Sequence, residues 1–336
     1  MKLRSFAGFT APSVLLMLLL LALPLAMTLW LSVRNCTPVL ELATVQQSGP
    51  FGTHAVTTQR ARLGADGRAL QDCRYVGADY YRAVLGLGQE AAASAAPAAT
   101  AAEAVAAKQP VEFLAALRFT LLYIVGTTPF VLLGGLALAL AMNRVTQRLK
   151  GAFIAASLLP FIITPVVGAL AIKWLFRDNG LVPHLLAGVG VQVYWMAQPW
   201  SAQLLVVLYG IWHVLPFAFI VFYAGLQSVP QDSLEAATLD GASRWQKLRF
   251  VTLPHLMPLV VFVTLIHLMD AYRVFEPVVV LTQGAFTASV QYLTYHVLLQ
   301  EDNPYKASAA AVLTVLGIAV LLVPLLRKTW KEQRSG

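Results

Sequence analysis

Six long apolar stretches separated by polar segments dominate the pattern of this chain. Each is about as long as the roughly 20 residues that an α-helix needs to cross the hydrocarbon core of a bilayer. They run approximately over residues 11–33, 113–142, 152–176, 201–226, 254–281 and 307–326. Helices are expected because an open strand in lipid would leave its backbone amides without hydrogen-bond partners. The pattern therefore predicts an all-α membrane protein with about six transmembrane helices.

Prolines lie inside several of these stretches, among them Pro129, Pro160, Pro165, Pro216 and Pro258. A proline within a helix removes one backbone hydrogen bond and crowds the preceding turn. We expect kinks at these positions rather than breaks.

The composition agrees with a membrane protein and argues against other classes. Hydrophobic residues make up 58% of the chain and charged residues 12%, far outside the range of soluble globular proteins. The six histidines are scattered along the sequence, so no metal site is expected. The chain has no Walker A motif, and not even a Gly-Lys dipeptide, so a nucleotide-binding P-loop is not expected either.

The distribution of charge predicts the orientation, because Lys and Arg of short loops collect on the cytoplasmic side. With the N-terminus inside, the cytoplasmic segments hold twelve basic and four acidic residues, and the difference equals the whole net charge of +8. The basic residues are Lys2, Arg4, Arg144, Arg148, Lys150, Arg244, Lys247, Arg249, Arg327, Lys328, Lys331 and Arg334. Both termini are therefore predicted to be cytoplasmic. A nucleic-acid partner is not expected, because it would require a contiguous basic stripe on a folded domain.

The polar segments divide the chain into four parts. Residues 1–33 form a cytoplasmic tail and a first helix, which is longer than the 7 to 15 apolar residues of a signal peptide. Residues 34–112 form an extracytoplasmic loop or small cap, Ala-rich from 91 to 107 and expected there as a marginal helix or linker. The membrane core spans 113–326, and 327–336 form a cytoplasmic tail.

Two cysteines, Cys36 and Cys73, both fall in the extracytoplasmic segment under this topology. A disulfide is expected only in an oxidising compartment. The sequence is equally compatible with a disulfide and with two free thiols.

A polar segment, residues 228–254, separates the fourth and fifth apolar stretches. Pro230 suits the first turn of a helix. Gly241 tolerates the left-handed geometry that follows a helix, and Ser243 can cap a second short helix that runs to Pro254. This order of residues predicts two short helices joined by a tight turn.

The same segment carries side chains suited to contact with another protein. The small ones are Ala236, Ala237 and Ala242, and the large apolar ones are Leu239, Trp245 and Phe250. Small residues permit close approach of a partner, and large apolar residues can anchor it. An amphipathic hairpin lying on the lipid surface is the alternative interpretation.

This segment resembles the EAA motif of ABC importer permeases, in which Glu-Ala-Ala precedes a Gly by three residues and a Leu-Pro follows further on. The matching residues are Glu235-Ala236-Ala237, Gly241 and Leu253-Pro254. Residues 224–230 resemble the carbohydrate branch of the family, and 273–276 with 281–282 resemble its maltose and glycerol-phosphate F-type subunits. The resemblance extends over residues 113–326. One departure is the family's Gly-Gly-Pro, which reads Gln283-Gly284-Ala285 here.

The resemblance implies a fold like that of ABC type I importer permeases. It also implies a multi-pass inner-membrane permease subunit of an ATP-driven, binding-protein-dependent importer, and not an enzyme. The solute would be a sugar, oligosaccharide, polyol or polyol phosphate. The partners would be a second permease subunit forming a heterodimer, an ABC ATPase dimer and an extracytoplasmic solute-binding protein. No cofactor would be bound by this chain, since ATP and Mg²⁺ belong to the ATPase.

The resemblance also implies that residues 230–254 dock on the ATPase. Glu235 would accept a charge-assisted hydrogen bond from it, and Gly241 would let the chain turn. The residues expected to couple the two proteins are Glu235, Ala236, Ala237, Asp240, Gly241, Ala242, Trp245 and Pro254.

Charged residues within the fifth apolar stretch form a second candidate site. Asp270, Arg273 and Glu276 recur every three residues, and Phe275 lies among them. This spacing puts the three charges on one helical face, with Arg273 able to bridge both acids. A charge at membrane depth costs at least about 2.5 kcal/mol and usually faces a bundle interior or a water-filled cavity. Lining of the solute path and an internal salt bridge that only holds helices together are both compatible with this pattern.

Several aromatic residues could stack on sugar rings, but Trp and Tyr near helix ends more often anchor a protein at the membrane interface. They are Trp174, Tyr194, Trp195, Trp200, Tyr209, Trp212 and Tyr272. We therefore favour interfacial anchoring for most of them.

Two other classes of membrane protein remain alternatives. An ion-coupled secondary transporter would also have about six helices, and Asp270 and Glu276 could serve as its buried carboxylates. The ordered segment 228–254 would then have no purpose. A scaffold or sensor would have to act through residues 34–112, which are few and low in complexity.

Overall fold

The computed structural model describes residues 3–49, 52–63, 70–87 and 113–335. Most of these residues are helical. In chain order the helices are α1 (Leu3–Ser32), α2 (Asp79–Val84), α3 (Phe113–Met142), α4 (Gln147–Ile162), α5 (Pro165–Phe176), α6 (Leu181–Gly188), α7 (Pro199–Gln227), α8 (Gln231–Leu239), α9 (Arg244–Lys247), α10 (Leu253–Tyr272), α11 (Val290–Leu299) and α12 (Pro304–Ser335). Two π-helical turns, Leu248–Thr252 and Val278–Thr282, flank α10. The Ala-rich tract at 91–107 lies outside the described residues.

The number of membrane spans agrees with the sequence pattern. Within the described residues, five helices are long and apolar enough to cross a membrane, and a bent helix pair raises the count to six. The five spans are Thr10–Ser32, Phe113–Met142, Pro199–Gln227, Arg244–Tyr272 and Pro304–Pro324. The predicted class, a helical multi-pass membrane protein, is confirmed.

The third predicted span, 152–176, is wrong as a single helix. It consists of α4 and α5, and the chain bends by 94° between them. Thr164 adopts an extended conformation before Pro165, which begins α5. The proline ring disfavours helical geometry in the residue before it, so this proline breaks the helix instead of kinking it. The other four prolines lie inside helices, as expected.

The fifth span also differs from its prediction at both ends. It ends at Tyr272 and not at 281, because Arg273 leaves the helical conformation. At the other end, the second short helix does not stop at Pro254 but continues through the π-helical turn Leu248–Thr252 into α10. Pro254 has no N–H for a regular bond to the residue four before it, and the wider π-helical turn directly precedes it. The second short helix of the loop and the span therefore form one continuous rod, Arg244–Tyr272.

Residues 34–75 contain strands that the sequence analysis did not predict. The strands β1 (Arg34–Pro38), β2 (Leu40–Gly49), β3 (Gly52–Ala61) and β4 (Gln71–Tyr75) form two antiparallel pairs, β1 with β4 and β2 with β3. Cys36 lies opposite Cys73 in the first pair, and the structure joins them in a disulfide. The prediction of an all-α chain is therefore wrong for residues 34–75. Residues of β2 and β3 such as Val and Thr favour strands, but this preference is weaker than the hydropathy signal of a span.

Close packing of two helices builds the centre of the membrane unit, residues 113–296 and 314–335. Gly135 of α3 lies so near α7 that a Cβ there would be 2.6 Å from the Cβ of Ala218. Small residues let membrane helices approach closely and gain dispersion energy. Around this contact, Val131, Phe219 and Val263 are completely buried. The contact fixes α3 and α7 as the scaffold on which the site is built.

Candidate functional site

The polar segment between the fourth and fifth spans has the geometry that its sequence predicts. Pro230 directly precedes α8, and Gly241 has a φ of +76°, in the left-handed region. The hydroxyl of Ser243 accepts the backbone N–H of Gln246 at 3.3 Å, while Oε1 of Gln246 accepts the backbone N–H of Ser243 at 2.7 Å. This reciprocal capping box satisfies two backbone donors at the start of α9. Lys247 Nζ also donates to Thr238 Oγ1 at 2.7 Å, which ties α9 to α8.

Large apolar side chains of this segment point away from the chain. Leu239 is 90% exposed, Trp245 66% and Phe250 69%. Phe250 also lines a shallow concavity, together with residues that include Ala237, Asp240, Gly241 and Ala242. All eight residues expected to couple are exposed or half-buried. Pro254 differs from the others in lying in the first turn of α10.

A cavity of about 490 Å³ opens within the membrane unit. This volume lies in the range of small-molecule sites. Its wall contains all four residues proposed for a solute path, Asp270, Arg273, Phe275 and Glu276. Sequence reasoning missed other polar and aromatic residues of the wall, among them Tyr123, Phe161, His213, Phe217, His267 and Gln291.

The charges of the cavity are arranged differently from the predicted pattern. Arg273 Nη2 lies 3.0 Å from Asp270 Oδ1, and both side chains are about half exposed. Within the part of the chain that the structure describes, no cation lies within 4.0 Å of Glu276. The helix ends at Tyr272, so the three residues do not share one continuous helical face. The expectation that Arg273 bridges both acids is wrong.

Hydrogen bonds from two cavity residues stabilise the bend between α4 and α5 in the third span. Tyr209 on α7 donates its hydroxyl to the carbonyl oxygen of Pro165 at 2.7 Å. One turn away, His213 Nδ1 lies 2.8 Å from the carbonyl oxygen of Pro160, so this nitrogen carries the proton and donates. Carbonyl groups near a helix break need donors when no water is present. These two side chains therefore shape the cavity wall and stabilise the bend.

A buried hydrogen-bond chain crosses the cavity floor between α3 and α10. Thr127 donates its hydroxyl to the carbonyl oxygen of Tyr123 at 2.8 Å and lies 3.0 Å from Nε2 of His267. Because the Thr127 proton is already used, Nε2 of a neutral His267 is the donor and Nδ1 an acceptor. Nδ1 is buried and has no hydrogen-bond partner in the described structure.

The aromatic residues considered for sugar stacking fall into two groups, those that line the cavity and those that do not. Tyr209 lines the cavity, and the other six are not among its described lining residues. Trp174, Tyr194 and Trp200 are each more than half exposed. Their exposure agrees with anchoring at the membrane interface.

The sequence matches a known family of membrane transport components. Residues 104–334 match the family described as binding-protein-dependent transport system inner membrane component. The chain belongs to this family. The resemblance inferred from residues 224–282 is thereby confirmed, as is the class of a multi-pass inner-membrane transport component and not an enzyme.

Individual relatives carry the names of sugar transporters. The trehalose/maltose transport system permease protein MalF of Thermococcus litoralis is 32% identical over 196 residues, which is 56% of this chain and 65% of that protein. The trehalose transport system permease protein SugA of Mycobacterium tuberculosis is 36% identical over 203 residues, 58% of this chain and 62% of that protein. The chain thus matches slightly less than two thirds of the length of these relatives.

The solved structures include a similar fold. A bacterial ABC transporter described as involved in the import of the acidic polysaccharide alginate contains a chain with a TM-score of 0.61 and 26% identity. The similarity covers 75% of this chain and 89% of that one.

Proposed function

We propose that this chain is one permease subunit of an ATP-driven, binding-protein-dependent importer of a carbohydrate. The observation that supports it best is the rod Arg244–Tyr272, which has Trp245 on the exposed loop at one end and Asp270 in the cavity wall at the other. A rigid element between a docking surface and a solute cavity is the part that an externally powered transporter needs.

The loop acts as the docking surface for a partner ATPase. The capping box and the Lys247 hydrogen bond hold it in one conformation before any partner arrives, which lowers the entropy lost on docking. Closure of an ATPase dimer on ATP and Mg²⁺ then moves α8 and α9. Because α9 runs into α10 without a break, this movement reaches the cavity as a rigid-body rotation.

The remaining partners follow from the same assembly. A second permease subunit completes the solute path, and a solute-binding protein delivers the solute from outside. Both termini and the loop lie on the cytoplasmic side. The relatives named for trehalose and maltose support a sugar, oligosaccharide or polyol as the solute, and the aromatic and polar wall of the cavity suits such a molecule.

An ion-coupled secondary transporter is the second candidate, because carboxylates of Asp270 and Glu276 line a cavity at membrane depth. It differs in one testable respect. Its transport would not depend on the loop or on an ATPase.

A glycine pair in this chain permits a matched test. Gly241 has a φ of +76° and Gly190 a φ of +80°, and a Cβ at either position would meet no atom within 4 Å. Gly241→Asp and Gly190→Asp therefore impose the same backbone strain without a clash inside the chain. Only Gly241 lies on the loop.

The experiment measures solute-stimulated ATP hydrolysis and uptake in a reconstituted complex of this chain with its partner permease, ATPase and binding protein. We expect Gly241→Asp to abolish stimulation and Gly190→Asp to retain it. Unchanged stimulation in Gly241→Asp would contradict the docking role of the loop. Ion-dependent uptake by the chain without an ATPase would favour the secondary transporter.

A further inference from the structure

We propose that the cavity accepts an uncharged polyhydroxylated solute and rejects anionic carbohydrates, and that Glu276 sets this selectivity. The inference rests on the proposed function only in taking the cavity as part of the solute path. It goes further by assigning the charge of the solute.

Acidic groups outnumber basic ones in the described wall of the cavity. Its described lining contains two carboxylates, Asp270 and Glu276, and one guanidinium, Arg273, with no other Lys or Arg. The guanidinium lies against Asp270 at 3.0 Å, so the charge of Glu276 remains uncompensated. A ligand carboxylate or phosphate about 6 Å from Glu276 would lose affinity by about threefold in a water-like environment and about a hundredfold at an effective dielectric constant of about 20.

The carboxylates of Glu276 and Asp270 are hydrogen-bond acceptors in the cavity wall. The hydroxyl groups of a neutral sugar or polyol can donate hydrogen bonds to them. A carboxylate or phosphate group on the solute only accepts, so that group cannot pair with either carboxylate.

Aromatic rings form another part of the cavity wall. Phe161 stacks on Phe217 with ring centroids 5.7 Å apart, and Tyr209 stacks on His213 at 5.6 Å. All four residues line the cavity. Broad ring surfaces beside a few polar groups suit a molecule with apolar C–H faces and hydroxyl edges. The structural neighbour described for the acidic polysaccharide alginate has a similar fold, so the fold alone does not decide the charge of the solute.

The test compares two trisaccharides of similar size on the full-length chain in lipid nanodiscs, one of glucose and one of galacturonate. Isothermal titration calorimetry gives the ratio of their dissociation constants. In the unmodified chain we expect the neutral trisaccharide to bind at least about tenfold more tightly. Glu276→Gln keeps the shape of the side chain and removes its charge, and should narrow this ratio by about tenfold. Asp178→Asn, which removes an exposed negative charge outside the cavity lining, should leave it unchanged.

Three results would overturn the proposal. They are binding of the anionic trisaccharide as tight as that of the neutral one, a ratio that does not change in Glu276→Gln, and no binding of either trisaccharide. An equal change in Asp178→Asn would assign the effect to the overall charge of the chain and would also contradict it. Because the measurement uses neither ATP nor a binding protein, its outcome is independent of the loop test above.

Discussion

Lys173 Nζ donates a hydrogen bond of 2.7 Å to the carbonyl oxygen of Val280, which connects the last turn of α5 to the π-helical turn Val278–Thr282. This bond joins the second half of the broken third span to the segment that follows the charged cavity residues. A charge-assisted bond of this kind is stronger than one between neutral groups. It explains how a lysine within an apolar stretch is accommodated.

We predict that Lys173→Met destabilises the membrane unit by about 1–3 kcal/mol, because the Val280 carbonyl loses its side-chain donor. The measurement is the thermal unfolding midpoint of the detergent-solubilised chain. Lys173→Arg retains a cationic donor and should unfold close to the original midpoint. Equal stability of the Met variant and the unmodified chain would contradict a role for this bond.

The Thr127 and His267 pair gives a second prediction, in which two adjacent threonines serve as test and control. Thr127→Val removes the group that His267 Nε2 contacts at 3.0 Å, so a buried donor is left unsatisfied. We expect a loss of about 1–3 kcal/mol in the free energy of unfolding. Thr128 donates only within its own helix, to the carbonyl oxygen of Ile124. Thr128→Val should therefore be nearly neutral, and comparable losses in both variants would show that the helix, and not the His267 contact, is affected.

The turn after the second π-helical turn depends on the small size of Gly284. A Cβ there would lie 2.2 Å from the ring of Tyr292, which is buried and cannot move aside because its hydroxyl donates to the carbonyl oxygen of Gln283 at 2.6 Å. We expect Gly284→Ala to lower stability by about 2 kcal/mol or more, through overpacking and backbone strain together. Gly190→Ala shares the positive φ but has open space, so it measures the strain alone. The difference between the thermal unfolding midpoints of the two variants gives the effect of the clash with Tyr292 apart from the backbone strain. Equal midpoints would show that the clash does not contribute.

Exposed tryptophans allow a test of the docking surface that does not depend on folding. Trp245 is 66% exposed on the loop, and Trp174 is 61% exposed on α5. If Trp245 anchors the ATPase, Trp245→Ala should weaken the binding free energy of the ATPase by about 2 kcal/mol, so that less ATPase co-purifies with the chain. The unfolding midpoint should stay unchanged. Trp174→Ala is the matched control and should retain the ATPase. Equal retention by both variants would argue against Trp245 as an anchor.

The disulfide between Cys36 and Cys73 closes a loop with a sequence separation of 37 residues. A crosslink over such a loop stabilises the folded state by about 3–4 kcal/mol in the chain-entropy account. The double variant Cys36→Ser/Cys73→Ser should therefore be cleaved faster by trypsin at Arg62 and Arg74, which are exposed in the folded segment. Reduction of the unmodified chain should give the same increase. Unchanged cleavage in both experiments would show that the strand pairing is stable without the bond.

The sequence by itself determined the features that depend on local physical chemistry. The hydrocarbon core of a membrane requires helices of a certain length, so the apolar stretches predicted the first, second, fourth and last spans within a few residues. The conformation of the loop was also predictable, because it depends on interactions between residues close together in the sequence. Gly241 and Ser243 act on backbone groups three or four residues away, and the turn and cap follow from those residue types alone.

Only the tertiary structure decided which distant residues form the site. The Tyr209 bond to Pro165 joins residues 44 apart in sequence, and the Thr127 contact with His267 joins residues 140 apart. A run of apolar residues looks alike whether its helix is straight, broken at Pro165 or ended at Tyr272, because hydropathy does not report where a carbonyl finds a donor. The separation of Glu276 from Arg273 likewise follows from the break after Tyr272. The shape and charge of the cavity therefore depend on packing between helices, which no local pattern contains.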